Sequence, residues 1–417
     1  MKLLFKNALI VDTSSPYNGH QLDILVHDNR IEAIGNLEVS QVDQIVNLNG
    51  DVLTTGFAEL HSDLGEPGNE DSENLISGSA AAAAGGFTAV GVVSNGSPYM
   101  DNKTGVEFIL SKSESLPIRL VPISTFSKGK SGEELSEMYE MSQLGVSIFG
   151  DYKQGVFDGN LLKLGLLYAK PFGRIMVHPE NHQLSNDGVM HEGSVSTYIG
   201  LKGAPVIAET TQILRDLAIL EYTGGALHIA SVSSVDGVQA IRKAKAGGLN
   251  VSASVNFSHL LFTENNLKGY ETDFKVNPPL RTSKDCAALR EAVLDGTIDC
   301  IAIDHLPKDI EQKQCEFDNA AFGMAGFEGA ITALLADFKM DTEIMQDRLS
   351  TAPRRLLGLP NISIIEGQIA EFTIVSKKLN SVSVIASRSA NNPFKNMNLN
   401  SCIRGVFVKG KYLSPYS

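Results

Sequence analysis

His61, Asp63, Asn95, Asp151, His178, Ser231 and Asp304 each stand at or just past the end of a short apolar run. Imidazole nitrogen and carboxylate oxygen are the donors that hold hard or borderline divalent ions. Taken singly, each of these residues reads as a solvated loop residue or a satisfied core residue. Their recurrence at the same point of successive runs changes that reading. If the runs are parallel strands, the side chains converge on one mouth and could together hold a divalent metal.

The elements that must position them follow from the pattern. Strands are predicted at 56–61, 87–93, 118–123, 146–151, 174–178, 226–231, 250–256 and 299–304. Between them lie helix-compatible stretches such as SENLISGSAAAAAGG, QILRDLAILEYTGG and VDGVQAIRKAKAGG, which end in glycine as helices often do. Strands alternating with helices predict a (β/α)₈ TIM-type barrel, with a doubly wound open sheet as the alternative. Both ends of the chain read differently. KLLFKNALIVD, DILVHDNRIEAIG and QIVNLNG near the start, and QIAEFTIVS, SVSVIAS and RGVFVKGKYL near the end, are strand-like. Asp28-Asn29 and Lys409-Gly410 supply hairpin chemistry. A small β-sandwich domain built from both termini is expected, 1–53 with 356–417, around a barrel over 54–355.

Composition narrows the class. A net charge of −13 over 417 residues argues against nucleic acid and anionic membrane as partners. Cys286, Cys300, Cys315 and Cys402 form no C-x-x-C pair and read as reduced thiols of a cytoplasmic protein. MKLLFKNALIVD is interrupted by Lys6 and Asn7 and suits a strand better than a signal peptide. No apolar stretch approaches the roughly twenty residues of a membrane span.

TTGFAELHSDLGEPGNEDSENLISGSAAAAAGGFTAV resembles the opening of dihydroorotase in the amidohydrolase superfamily. VSNGSPYMDN, VSIFGD, VHPENHQLSNDGVMHEG, YIGLKGAPVIAE, LHIASVSS, VNFSHLLFTEN, KVNPPLRTSKDCAALREAVLDGTIDCIAIDHLPK, AAFGMAGFEGA and SANNPFKNMNL continue the resemblance in order over nearly the whole chain. It implies a cyclic amide hydrolase of pyrimidine biosynthesis with one or two divalent metals. The ligands would be an H-x-H pair at the first strand, an Asp after the fourth, His after the fifth and sixth, and an Asp after the eighth that also shuttles the proton. Substrate carboxylate would be held by an Arg after the H-x-H, an Asn in the second-strand loop and a His in D-H-A-P-H.

This sequence departs from that pattern. His61, Asp151, His178 and Asp304 match family ligands, and Asp304 also matches the proton shuttle. Asp63 stands in place of the second His, and Ser231 in place of the strand-six His. Gly65 replaces the Arg and Lys308 the His, while Asn95 and Asn277 match substrate-binding positions. His228 lies three residues before Ser231, in the opposite strand orientation, and reads as a core histidine. Lys153 is near Asp151, but F-G-D favours an Asp bridge over the carboxylated lysine of some relatives. His182, His191 and His259 read as packing residues, and Gly85-Gly86 as a helix end.

His61, Asp63, Asp151 and Asp304 leave donors for at most one divalent ion, zinc or a harder one, or for none. The second position keeps only Asp151 and His178 and is expected to be empty. Losing a bidentate Arg–carboxylate contact removes roughly 2–4 kcal/mol of substrate binding. The expectation is a dihydroorotase homologue that has lost most or all hydrolysis and acts as a noncatalytic or regulatory subunit. The alternative is an active one-metal amidohydrolase on dihydroorotate or a related cyclic amide. The resemblance also implies a homodimer, and aspartate transcarbamoylase as a partner.

Overall fold

The computed structural model describes residues 1–417 apart from positions 40, 94, 339, 382–385, 395–399 and 415–417. Much of the strand expected at SVSVIAS and part of SANNPFKNMNL therefore lie outside the described residues.

Short parallel strands form the centre: β1 (Phe57–Ser62), β2 (Phe87–Val93), β3 (Arg119–Ile123), β4 (Ile148–Phe149), β5 (Arg174–Val177), β6 (Leu227–Ile229), β7 (Val251–Asn256) and β8 (Cys300–Ala302). β1 to β3 pair in order, as do β4 to β8. A parallel bridge between Ser124 and Phe149 joins the two groups. The remaining seam closes by other means. Asp63 N–H donates to the His305 carbonyl at 2.9 Å. The Glu59 carboxylate reaches from β1 and accepts the Ile303 and Asp304 N–H groups at 2.7 and 3.0 Å. A side chain thus satisfies buried backbone donors that strand pairing leaves open. The ring is a (β/α)₈ barrel, and its closure excludes the open sheet.

β1, β2, β7 and β8 are buried along their whole lengths, as parallel strands covered on both faces must be. Helices form where the sequence gives both a periodic apolar face and end signals. Leu75–Ala84 begins at Asn74, whose side chain accepts from the Ile76 and Ser77 N–H groups, and its chain direction reverses at Gly86 with φ +97°. Ile207–Thr223 stops at Gly224 in the left-handed conformation.

Both termini build one further sheet. Its strands run in the order Lys411–Leu413, Asn400–Val408, Phe372–Ser381, Val52–Thr55, Lys2–Val11, Gln21–His27 and Arg30–Gly35. Lys2–Val11 changes partner along its length, pairing with Gln44–Asn47 through Leu3–Lys6 and with Val52–Thr55 through Leu9–Val11. The register breaks between Phe5 and Ala8, where Asn7 takes φ +53°, so the sheet bends there and folds over its own core. Phe5 fills that core, edge-on to Phe372, Phe407 and Tyr412.

The two parts meet through Glu371, buried just before Phe372–Ser381. It accepts Arg119 from β3 and Arg354 from the helix Ala352–Leu356, each at 2.9 Å. A buried carboxylate requires such counter-charge.

Candidate active site at the barrel mouth

Parallel strands end at one rim, and the rim residues here are His61 near the end of β1 and Asp63 just past it, Asp151 after β4, His178 after β5, Ser231 after β6 and Asp304 after β8. All are buried. Ser231, Asp304 and Lys153 have φ of +58°, +52° and +57°. Left-handed backbone at non-glycine residues is strained and tends to concentrate at functional sites. His61, Asp151, Tyr152, Lys153, His178 and Ser231 line a cavity of about 10 Å³ at the centre, the room of a single water.

Asp304 is the most heavily engaged carboxylate. Oδ1 accepts the Tyr152 hydroxyl at 2.7 Å and lies 3.3 Å from His61 Nδ1. Oδ2 accepts Asn256 Nδ2 at 2.6 Å and is in direct contact with the Lys153 ammonium. Lys153 also donates to the Asn277 carbonyl at 2.6 Å. Burial pushes the Asp304 carboxyl upward, but Lys153 and His61 outweigh it and hold the group well below the usual carboxylate range. A carboxylate so held is a weak base.

The other two aspartates are likewise committed. Asp63 Oδ1 accepts the Gly65 N–H at 2.8 Å. Asp151 Oδ1 accepts the Phe126 and Ser127 N–H groups at 2.9 and 3.1 Å, and Oδ2 the Ser127 hydroxyl at 2.5 Å. Burial raises both carboxyls, only partly opposed by Gly65 and Lys308 at Asp63, and by Ser127 and Lys130 at Asp151. Ser231 donates to Asn256 Oδ1 at 3.0 Å and so buttresses the residue that holds Asp304.

His178 Nε2 stands 3.6 Å from Glu180 Oε2, which accepts Asn277 Nδ2 at 3.0 Å. Burial raises the Glu180 carboxyl, but the imidazoles of His178 and His182 beside it reverse this and leave it well below its ordinary value. Asn95 Oδ1 accepts Lys130 Nζ at 3.4 Å. Lys308 is half-buried and electrostatically coupled to Asp63. His228 is sealed in the core between Ser252 Oγ at 2.9 Å and Ser254 Oγ at 3.1 Å, and burial lowers its basicity strongly.

The predicted residues therefore share one rim, but their carboxylates do not point to a common centre. Among the described residues no group of three or more His, Cys, Asp or Glu side chains converges as a cation site. The residues expected as ligands, His61, Asp63, Asp151 and Asp304, are neighbours on this rim, but the three carboxylates are engaged with other partners. Asp63 and Asp151 are turned onto backbone donors, and Asp304 onto an ammonium. Nitrogen donors remain, since His61 Nε2 and His178 Nε2 are buried without a hydrogen bond. As arranged, the donor set does not fit a divalent ion.

Sequence reasoning missed Glu180, Tyr152 and Lys130, and left Lys153 without a role. Glu180 carried a signal, two residues past His178 in V-H-P-E-N. Lys130 carried none, because a left-handed turn places it, with φ +55°.

Comparison with known proteins agrees with the fold. A family profile described as Dihydro-orotase-like matches residues 50–237. A dihydroorotase of Pelotomaculum thermopropionicum is 37% identical, across 99% of this chain and 98% of its own length. A dihydroorotase of Geobacter metallireducens is 34% identical, with 99% of each chain covered. Among solved structures, dihydropyrimidinase from Brevibacillus agri superposes with a TM-score of 0.82 at 20% identity, covering 100% of this chain and 95% of that one. A D-hydantoinase from a Thermus species gives 0.81 at 21% identity, covering 98% and 94%.

Proposed function

Since this chain belongs to the dihydroorotase-like family of amidohydrolases, we propose that it is a member which has lost most or all hydrolytic activity and serves as a noncatalytic or regulatory subunit. One observation carries the reading. Asp304, which matches the family's proton shuttle, is already bound by Tyr152, Asn256 and Lys153. An acid–base group must exchange its proton with substrate or water, and this one is saturated.

The test is dihydroorotate turnover by the purified chain with added Zn²⁺ or Mn²⁺. We expect none above buffer. Turnover at ordinary enzyme rates, about 1 s⁻¹ or more, would sink the proposal. For the subunit role, aspartate transcarbamoylase is the partner suggested by the family resemblance, and co-purification from a co-expressing cell is the measurement. Exposed Leu164, Leu167 and Tyr168, on one face of the helix Gly159–Ala169, offer apolar surface for assembly.

The competing reading is an active one-metal hydrolase of dihydroorotate or another cyclic amide. It is favoured by the buried Nε2 atoms of His61 and His178, neither of which makes a hydrogen bond. Under it, Lys153 must leave Asp304 and about one equivalent of metal must accompany the purified protein.

A further inference from the structure

We propose that Lys153 is the resident cation of the barrel mouth, its ammonium seated on Asp304 and excluding a divalent ion from that carboxylate. The placement is specific. Lys153 stands just past β4 in left-handed backbone, and its side chain crosses the mouth to Asp304 Oδ2 and the Asn277 carbonyl. Nζ lies 5.3 Å from the centre of the Tyr152 ring, whose hydroxyl binds the other oxygen of the same carboxylate. Both members of the pair are nearly buried, with side chains 13% and 9% exposed.

The charge balance of the mouth extends the argument. Asp63, Asp151 and Asp304 are buried, and buried carboxylates need counter-charge. The chain itself supplies ammonium groups facing them. Lys153 meets Asp304. Lys130, itself buried, donates to the Tyr152 carbonyl at 3.1 Å and is coupled to Asp151 and Asp63. Lys308 is coupled to Asp63. A divalent ion placed on Asp304 would face the Lys153 ammonium at contact range, where like charges repel strongly in a low-dielectric site.

This deepens the non-hydrolytic reading and rests on it in one respect, that Asp304 is not required as a base. The experiment uses the full chain, purified metal-free, with Zn²⁺ as the probe. Zinc content and thermal midpoint are measured for the wild type, Lys153→Met, Lys153→Arg and Lys153→Met/Asp304→Asn. The wild type should retain no stoichiometric zinc, and its Tm should be the same with chelator as with zinc. Lys153→Met should lose about 5 °C in chelator, because Asp304 is then buried without its cation. The same variant should bind about one equivalent of zinc and regain Tm with it. The double variant should bind none and recover stability without zinc. Lys153→Arg, which keeps the charge, should still exclude zinc and supplies the answer if the methionine variant does not fold.

About one equivalent of zinc on the wild type or on Lys153→Arg overturns the proposal. So does a Lys153→Met variant that matches the wild type in both Tm and zinc content. Those failures are distinguishable from failure of the non-hydrolytic reading, which is tested by dihydroorotate turnover alone. An inactive wild type with an indifferent Lys153→Met would overturn the role of the lysine and leave that reading standing.

Discussion

At Gly65 the backbone has φ +76°, and a β-carbon added there would lie 2.2 Å from the Glu73 carbonyl oxygen. The family's arginine therefore cannot be restored at this position without rebuilding the loop. Gly65→Arg should destabilise the chain by roughly 2–4 kcal/mol, read as a lower urea midpoint. It should not by itself restore turnover. Titration gives a second prediction at this scale. Burial, helped by the charges of Lys153 and Arg281, depresses His259 to about 4. The unfolded imidazole titrates near 6.5, so the native state binds fewer protons between those values. The neutral ring's contribution is therefore complete above about pH 6.5 and is lost as pH falls toward 4, on the order of 3 kcal/mol in all. Urea midpoints from pH 7 to 4.5 should fall in the wild type and fall less steeply in His259→Gln. Residue identities alone placed the rim, since each candidate ends an apolar run. They did not reveal where the carboxylates point, because Asp63 and Asp151 are oriented by N–H groups of Gly65, Phe126 and Ser127, and a backbone amide has no sequence signature.

Among the elements, the barrel strands were legible because each is a short apolar run ended by a polar residue, and two hairpin turns were legible through Asp28 and Gly410, residue types that accept positive φ. β4, β6 and β8 are shorter than their apolar runs suggest, because pairing stops where the chain turns out to the rim. The seam between β8 and β1 was not legible at all. Its acceptor is Glu59, a charged residue between the apolar Ala58 and Leu60 of β1, which alternation alone cannot assign to either face. Glu59→Ala would strand the Ile303 and Asp304 N–H groups in the core. A loss of about 3–5 kcal/mol is expected, seen as a lowered denaturation midpoint or insoluble expression. Glu59→Gln keeps one acceptor oxygen and should cost less. Equal stability of Glu59→Ala and wild type would mean that the seam is held by other contacts.

For the whole molecule, the joint at Glu371 decides whether the terminal sheet and the barrel unfold together. Arg354 is buried, so Glu371→Ala leaves its guanidinium without its partner, at a cost of about 3–5 kcal/mol. Calorimetry should then resolve two transitions where the wild type gives one, and limited proteolysis should cut between 357 and 371 first. A single unchanged transition would show that the apolar contacts alone couple the parts. The bent sheet has one more consequence. Strand Val52–Thr55 pairs on one side with Lys2–Val11 and on the other with Phe372–Ser381, so the centre of that sheet joins two segments that lie on either side of the whole barrel in sequence. Lys2–Val11 finds Gln21–His27, Gln44–Asn47 and Val52–Thr55 nearby in sequence, but the far edge of Val52–Thr55 stays open until Phe372–Ser381 has been made. The apolar face around Phe5 likewise lacks Phe372 and Phe407 until then, and a half-built sheet of this kind is prone to associate with other chains.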